Sequence, residues 1–394
     1  MLRPRGCGLD PATRGDNRRK GARGAYIGAR PSYNRAMPSE RALRAYVVAR
    51  TLGAQASLPR AIARLGFVQA DPIRAPARAQ DLTLRHRVAD YRAGDLEQRY
   101  PRLAVEEDFF VNYGFLPRDT HHLMHPRTPR TAWTKARWKQ AHAVLEFARE
   151  RGVVHPKDVD AQFAHGKTIN WFGGSSNAST QLLDGMHYRG LLRVARREGG
   201  IRLYAAREAT PPPADLRAAH DALVDVIVAK YAPLPLATLG QLLSHLCVGV
   251  PQWRGERAAA LARAKARLAH ERIASVDWYW PAGERLVRRE SAQRVRLLAP
   301  FDPLVWDRRR FEHFWGWAYR FEAYTPAPAR KLGYYALPLL WRDAVIGWAN
   351  ATSGKDGRLD LRCGYVAGRA PREAAFRREL EAEVERLREF LLPR

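Results

Sequence analysis

The sequence predicts an α+β protein: three tandem winged helix-turn-helix domains followed by a C-terminal β-rich, barrel-like domain with a terminal helix. Three observations predict it. A helix–helix–helix–hairpin order is spelled out twice in succession in the middle of the chain, and a helical pair with an extended segment precedes it. From about Arg294 the composition turns to seven short β-rich or aromatic runs, closed by one charged helix.

Residues 1–36 are rich in Gly, Arg and Pro, lack periodic apolar spacing and hold nine basic against two acidic side chains, a charge of +7. They read as a flexible basic arm. Met37, followed by Pro38-Ser39-Glu40 and a helical pattern, is an equally good start of the protein.

The first winged domain is expected over 37–130. Leu43, Tyr46, Val47 and Leu52 recur at helical spacing behind Ser39 as N-cap, and Ser57-Leu58-Pro59 opens a second helix through Leu65. Gly66 ends that helix, and Phe67-Val68-Gln69-Ala70-Asp71-Pro72 reads as a short extended segment.

The second domain is expected over 131–210. Helices over Lys135–Arg151, Pro156–Phe163 and Ser175–Arg189 precede strands Leu191–Ala195 and Ile201–Ala205 around the basic turn 196–200. Pro211-Pro212-Pro213 reads as a linker. The third domain, 214–292, repeats the plan with Leu216–Tyr231, Pro235–Leu243, Gly255–His270 and an Ile273–Val287 hairpin turning at Pro281-Ala282-Gly283-Glu284. The β-rich domain, 293–394, includes runs at Leu332–Trp341 and Val345–Ala349, turns at Gly347, Gly354 and Gly357, and a closing helix over Pro371–Leu392.

Charge narrows the partner. The 394 residues carry 67 Lys+Arg against 40 Asp+Glu, a net charge of +27, of which the arm accounts for +7, so +20 belongs to the remainder. A polyanion is implied, and 46% hydrophobic residues exclude a disordered polycation. No run of about 18 apolar residues supports a membrane span, and no apolar h-region supports a secretory signal, which leaves a cytosolic, nucleoid-associated address. Cys7, Cys247 and Cys363 are too far apart for a disulfide framework or a CxxC motif.

Three local signals fail. Gly166-Lys167-Thr168 imitates the end of a P-loop, but position 161 is Ala where the spacing needs Gly. His121, His122 and His125 are dense, yet no carboxylate or cysteine stands at zinc-enzyme spacing, so a helix-end or loop role is expected and no metal or cofactor is implied. The eleven tryptophans, concentrated late, read as core.

Two segments carry a family resemblance. The first is Leu65-Gly66-Phe67-Val68-Gln69-Ala70-Asp71, continued by Arg78-Ala79-Gln80-Asp81-Leu82 and Arg87. The second is Leu298-Ala299-Pro300-Phe301-Asp302-Pro303-Leu304-Val305-Trp306-Asp307-Arg308-Arg309-Arg310, continued by Tyr319-Arg320-Phe321-Glu322-Ala323-Tyr324 and Gly333-Tyr334-Tyr335-Ala336-Leu337-Pro338-Leu339-Leu340. From about residue 40 to the C-terminus the chain resembles the YcaQ/AlkZ-type crosslink-repair DNA glycosylases. The resemblance implies tandem winged helices and a β-rich domain around duplex DNA. It also implies hydrolysis of the N-glycosidic bond of N-alkylated purines, including those in interstrand crosslinks; the protein is expected to act as a monomer. The family's catalytic element is Gln-x-Gln or Gln-x-Asp, and the matching positions are Gln69 and Asp71, which places the chain with the YcaQ-like Gln-x-Asp branch. Gly347-Trp348-Ala349-Asn350 departs from the pattern, which has a basic and an acidic residue after that glycine.

The residues suit the chemistry. An N7-alkylated purine is cationic and leaves readily, so the protein must stabilise an oxocarbenium-like sugar and deliver water. A carboxylate at Asp71 offsets the developing charge and takes the water's proton, while the Gln69 amide positions that water. In an extended segment residues i and i+2 fall on one face, so the two converge. Asp302 reads as structural. Phosphate contacts are expected from Arg85 and Arg87, from Lys167, from Arg193, Arg196 and Arg197 in the second wing, and from Arg308, Arg309, Arg310, Arg330 and Lys331. A non-enzymatic winged-helix transcription regulator is the alternative; it explains the charge and the repeats but not Gln69 and Asp71 beside the matched C-terminal segments.

Overall fold

The computed structural model describes residues 39–129, 131–169, 174–209, 211–286, 292–353 and 359–392; the expected basic arm and the turn glycines 354 and 357 lie outside them. Residues Pro38–Arg394 form one compact unit of mixed helix and strand, with small antiparallel sheets. No helix among the described residues is long and apolar enough to cross a membrane.

The chain enters through α1 (Glu40–Thr51), capped by the Ser39 side chain, and α2 (Leu58–Leu65), with Pro59 in its first turn. Gly66, at φ +64°, ends α2 in the left-handed region and turns directly into β1 (Val68–Gln69). Helices α3 (Ala79–Leu84) and α4 (Asp95–Arg99) lead to a hairpin, β2 (Val105–Phe109) and β3 (Tyr113–Pro117), followed by α5 (Arg118–His122). The sheet order is β1–β3–β2, so the short strand after α2 is stitched onto a hairpin more than thirty positions later.

Next come α6 (Lys135–Arg151), α7 (Pro156–Phe163), β4 (Lys167–Ile169), β5 (Ser175–Asn177), α8 (Ala178–Tyr188) and the hairpin β6 (Leu192–Glu198) and β7 (Ile201–Ala206). The small β4–β5 ladder replaces the first turn of the helix expected from Ser175. Strand β6 continues through Arg196 and Arg197, which the sequence places in the turn; the reversal is at Gly199-Gly200, both at positive φ.

In the third region, α9 (Leu216–Tyr231), β8 (Leu234–Pro235), α10 (Leu236–Gly249) and α11 (Arg257–Arg267) precede β9 (Ala269–Ile273) and β10 (Val276–Trp280), with sheet order β8–β10–β9. The hairpin turns at Ala274-Ser275, both at positive φ, and not at 281–284. Glu284 instead reaches back to α1, where it accepts from Arg50 Nε at 2.7 Å and Tyr46 Oη at 2.5 Å.

The C-terminal region holds β11 (Val295–Leu297), α12 (Arg308–Trp315), β12 (Leu337–Trp341), β13 (Ala344–Ser353), β14 (Leu359–Tyr365) and α13 (Ala374–Leu391). Its sheet runs β11–β12–β13–β14, a linear antiparallel order, where the sequence suggested a barrel-like arrangement. Gly347 lies inside β13 and not in a turn: a Cβ there would meet Gly364 O of β14 at 2.1 Å. The arginine run 308–310 is the first turn of α12, capped by the Asp307 carboxylate, which accepts from the Arg309 and Arg310 amides at 3.0 and 3.3 Å.

Two hydrophobic cores hold these parts together, and both cross the expected domain borders. One packs α1 against α9, α10 and β10 and against Phe311 and Phe314 of α12. The other joins α2, β1 and α3 to α6, α8, β6, the C-terminal sheet and α13. Such interleaving fixes the segment carrying β1 from several sides.

Candidate active site

Three local features place Gln69 and Asp71. The α2–Gly66–β1 junction sets the chain direction, and a Cβ on Gly66 would meet Val226 of α9 at 2.6 Å. In the β1–β3 ladder Gln69 lies opposite Gly114, so no neighbouring side chain covers it from the paired position. Ala70 N–H still bonds to Tyr113 O at 3.0 Å, which carries the ladder to the residue before Asp71.

Gln69 is buried, at 6% exposure, and its Oε1 has no hydrogen-bond partner among the described residues. Leaving a buried acceptor unpaired is costly, and such atoms concentrate where a ligand or water is bound in the working state. Asp71, just past the strand, is half-buried. Its Oδ1 accepts from Ile73 N–H at 2.9 Å, and its own N–H donates to Gln80 Oε1 of α3 at 3.3 Å. Burial raises the Asp71 carboxyl above its ordinary value, against the Ile73 amide, which lowers it. A carboxylate with raised basicity, open on one side, accepts protons more readily than an ordinary surface aspartate.

The C-terminal region supplies the other wall. The Tyr335 hydroxyl is buried and likewise has no hydrogen-bond partner among the described residues; burial and then the charge of Asp71 push its pKa well up, so it stays a protonated donor. The half-buried Asp71 carboxylate thus follows the unpaired Gln69 acceptor by two residues and lies within electrostatic reach of the unpaired Tyr335 donor in the loop before β12.

A family model described as DNA glycosylase AlkZ-like matches residues 62–390, which spans all three elements. The chain is a member of the AlkZ-like DNA glycosylase family. Among solved structures it is similar to the DNA glycosylase AlkZ of Streptomyces sahachiroi, at 14% identity and a TM-score of 0.58, over 90% of this chain and 98% of that one. This AlkZ-like protein is accordingly an enzyme, a DNA-binding hydrolase of DNA repair, and the non-enzymatic regulator is set aside.

Within the glycosylase, several arginines expected on phosphate are internal. Arg85 pairs with Glu383 of α13 and donates to Leu297 O at 3.2 Å. Arg87 makes a two-point ion pair with Asp302. Arg310 is 1% exposed and donates to Tyr231 O and Pro303 O; burial lowers its pKa to about 10. Arg308 bonds to Pro300 O at 3.1 Å and lies over the Tyr319 ring. In the second hairpin, Arg193 binds Glu106 at 3.0 Å and Arg197 binds Glu107. Arg85, Arg87 and Arg310 are buried, which corrects the expectation that they face DNA, while Arg193, Arg197 and Arg308, tied to carboxylates and carbonyls, remain half-buried.

For Arg193 and Arg197 the reason lies on β2. Glu106, Glu107 and Asp108 are all buried, and their partners come from several elements: Arg118, Arg193 and Arg207 for Glu106, Arg197 for Glu107 and Arg127 for Asp108. Lys167 on β4, Arg196 on β6, Arg309 on α12 and Lys331 are exposed, and Arg330 is half-buried. Lys167 donates to Asn177, and Arg196 pairs with Glu198 at 2.9 Å.

Sequence spacing missed one cluster. Asp108, from β2, joins His121 and His125 with ligand-type atoms within 4.8 Å of one another, a carboxylate that only strand pairing brings in. Arg127 donates to both Asp108 oxygens at 3.2 and 3.3 Å, and Arg207 approaches His121 Nδ1 at 3.2 Å. Arg127 already satisfies the carboxylate, and the two guanidinium groups beside the cluster oppose a dication.

Proposed function

We propose that this enzyme hydrolyses the N-glycosidic bond of N-alkylated purines such as N7-alkylguanine, including those tied into interstrand crosslinks, with Gln69 and Asp71 as its catalytic residues. The unpaired Gln69 Oε1 beside the half-buried Asp71 carboxylate is the observation that carries the reading. As the C1′–N9 bond breaks, the base leaves with the bonding electron pair and becomes neutral, while the sugar becomes cationic. Asp71 faces that cation. A water whose one proton is held by Gln69 Oε1 attacks C1′ and gives its other proton to Asp71. The Tyr335 hydroxyl is available to donate to the departing base or to the carboxylate.

Exposed Pro72 and Arg74 beside Asp71 support an open site that meets a tethered base in a groove, since a crosslinked purine cannot swing free into a closed pocket. The helix-and-hairpin orders over 37–130, 131–210 and 214–292 support three winged-helix domains, with 293–394 as the β-rich domain. Phosphate contacts come from the exposed Lys167, Arg196, Arg309 and Lys331 and from Arg330. The enzyme acts as a monomer on nucleoid DNA. The test is incubation with a duplex containing N7-methylguanine and with a nitrogen-mustard crosslink: abasic sites are expected, and no release from either overturns the reading.

A further inference from the structure

We propose that Tyr324 and Tyr334 form the surface that recognises the alkylated base, selecting purines that carry a positive charge over neutral ones. The inference rests on Gln69 and Asp71 being the reacting centre.

Both rings are held out of the core. Tyr324 is 79% exposed and Tyr334 43%, in a segment whose other two tyrosines, Tyr319 and Tyr335, are buried. Isolated apolar side chains at a surface are ordinary, but these two stand on a rigid support. The buried Glu322 carboxylate accepts from the backbone amides of Lys331, Leu332 and Gly333 at 2.8, 2.7 and 3.3 Å. Gly333 itself is at φ +118° with Asn350 against it, and Asn350 Nδ2 donates to Leu332 O at 2.7 Å. Three donors on one carboxylate and a bracing amide fix the loop just before Tyr334.

Tyr324 is supported in turn. Its ring meets Phe321 edge-on with centroids 6.1 Å apart, and Phe321 meets Tyr335 at 5.2 Å and Phe301 at 5.1 Å. Phe321 and Tyr335 pack into the same core as Val68, Ala70 and Ile73, which bracket Gln69 and Asp71. The charge of Asp71 acts on the hydroxyls of both Tyr324 and Tyr335. One face of Tyr334 is taken by the Arg330 guanidinium, 5.0 Å from its centroid, and Arg330 Nε is tied to Thr325 O at 2.8 Å.

The ring chemistry selects the ligand. The face of a tyrosine ring is electron-rich and attracts a cation. An N7-alkylpurine spreads a positive charge over a flat ring, so it gains stacking and cation–π attraction there and a Coulombic attraction to Asp71. A neutral purine gains stacking alone. Stacking is indifferent to the flanking sequence, which suits a lesion that can occur anywhere.

The test uses the full chain and equilibrium binding to three duplexes: undamaged, carrying 2′-fluoro-N7-methylguanine, whose glycosidic bond resists cleavage, and carrying neutral 1,N6-ethenoadenine. Wild type is expected to prefer the N7-methylguanine duplex to both others. Tyr324→Leu and Tyr334→Leu are each expected to cut that preference roughly fivefold or more, with melting temperature unchanged, while Tyr324→Phe retains it. Equal binding of the three duplexes by wild type, or undiminished preference in both leucine variants, overturns the proposal. A wild type that prefers the charged lesion yet releases no base from unfluorinated N7-methylguanine overturns the hydrolytic reading and leaves the recognition surface standing. If Tyr334→Leu melts early, the Tyr324 variants, at the more exposed ring, decide the matter.

Discussion

Arg87 and Asp302 form a two-point ion pair inside the protein, Nη1 to Oδ2 at 2.8 Å and Nη2 to Oδ1 at 3.0 Å, across 215 positions of sequence. Asp302 is fully buried, and its oxygens also accept from the Leu304 amide at 3.0 Å, while Arg87 Nη1 donates as well to Thr83 O. The pair ties the segment after α3 to the loop before α12, the two regions that carry the family motifs. Its role is to hold the motif-bearing halves together, not to bind phosphate.

Arg87→Ala leaves the Asp302 carboxylate buried and unpaired, which costs about 3–5 kcal/mol. Urea unfolding is expected to show a lower midpoint with an unchanged slope. The salt dependence of DNA binding in the remaining folded protein is expected to stay at the wild-type value. A stable variant with a weaker salt response would return Arg87 to the DNA face.

Binding to undamaged duplex weakens with salt in proportion to the phosphates neutralised, about −0.9 in log K against log salt for each. Arg309→Ala and Lys331→Ala, at exposed positions, are each expected to make the slope shallower by about that amount, and Arg310→Ala is expected to leave it alone. Titration of a fluorescent duplex at several salt concentrations checks this. A slope unaffected by Arg309→Ala and Lys331→Ala together places the binding face elsewhere.

Acid is expected to destabilise the fold from about pH 6.5 downward. Burial lowers the pKa of His86, with Arg85 adding to it, and burial also lowers His121, His187 and His125, the last to about 3. The unfolded chain binds these protons near pH 6.5, and the folded rings bind them only at lower pH. Between those values the unfolded state holds more protons, so stability falls as pH falls, by up to about 1.4 kcal/mol per pH unit for each ring. Melting temperatures at pH 7.5 and 5.0 read this out. An equal or higher melting temperature at pH 5.0 contradicts it.

Gln69→Ala removes the unpaired acceptor beside Asp71 while leaving the carboxylate in place. Base release from an N7-methylguanine duplex is expected to slow by roughly 10²-fold at saturating enzyme, the scale of a lost positioning contact on the attacking water. A rate within twofold of wild type would assign the water to another group.

Local chemistry made part of this legible from sequence. The Ser39 cap, Gly66 as a helix stop, and the α6 and α7 boundaries follow from short-range rules, and the strand Val68–Gln69 falls inside the segment read as extended. What failed depended on long-range pairing. Arg85 looks like a surface cation until α13 presents Glu383 to it. Asp108 sits 13 positions from His121, and only the β2–β3–α5 arrangement brings it there. Arg308–Arg310 read as a basic run in the sequence, whereas Phe311 and Phe314, buried in the core, make them the first turn of α12. Tyr335 was visible within Gly333-Tyr334-Tyr335 but had no role until its buried hydroxyl proved to lie within reach of the charge of Asp71.

The most direct test of the central claim is single-turnover release of N7-methylguanine by wild type and by Asp71→Asn, at enzyme concentrations saturating for the duplex. Substitution by the isosteric amide removes the proton acceptor and the negative charge but keeps the Oδ1 contact to the Ile73 amide. Release is expected to be lost in Asp71→Asn while its affinity for the duplex stays near that of wild type. Release at an undiminished rate would contradict the account, and a parallel loss of affinity and rate would make Asp71 a binding or structural residue.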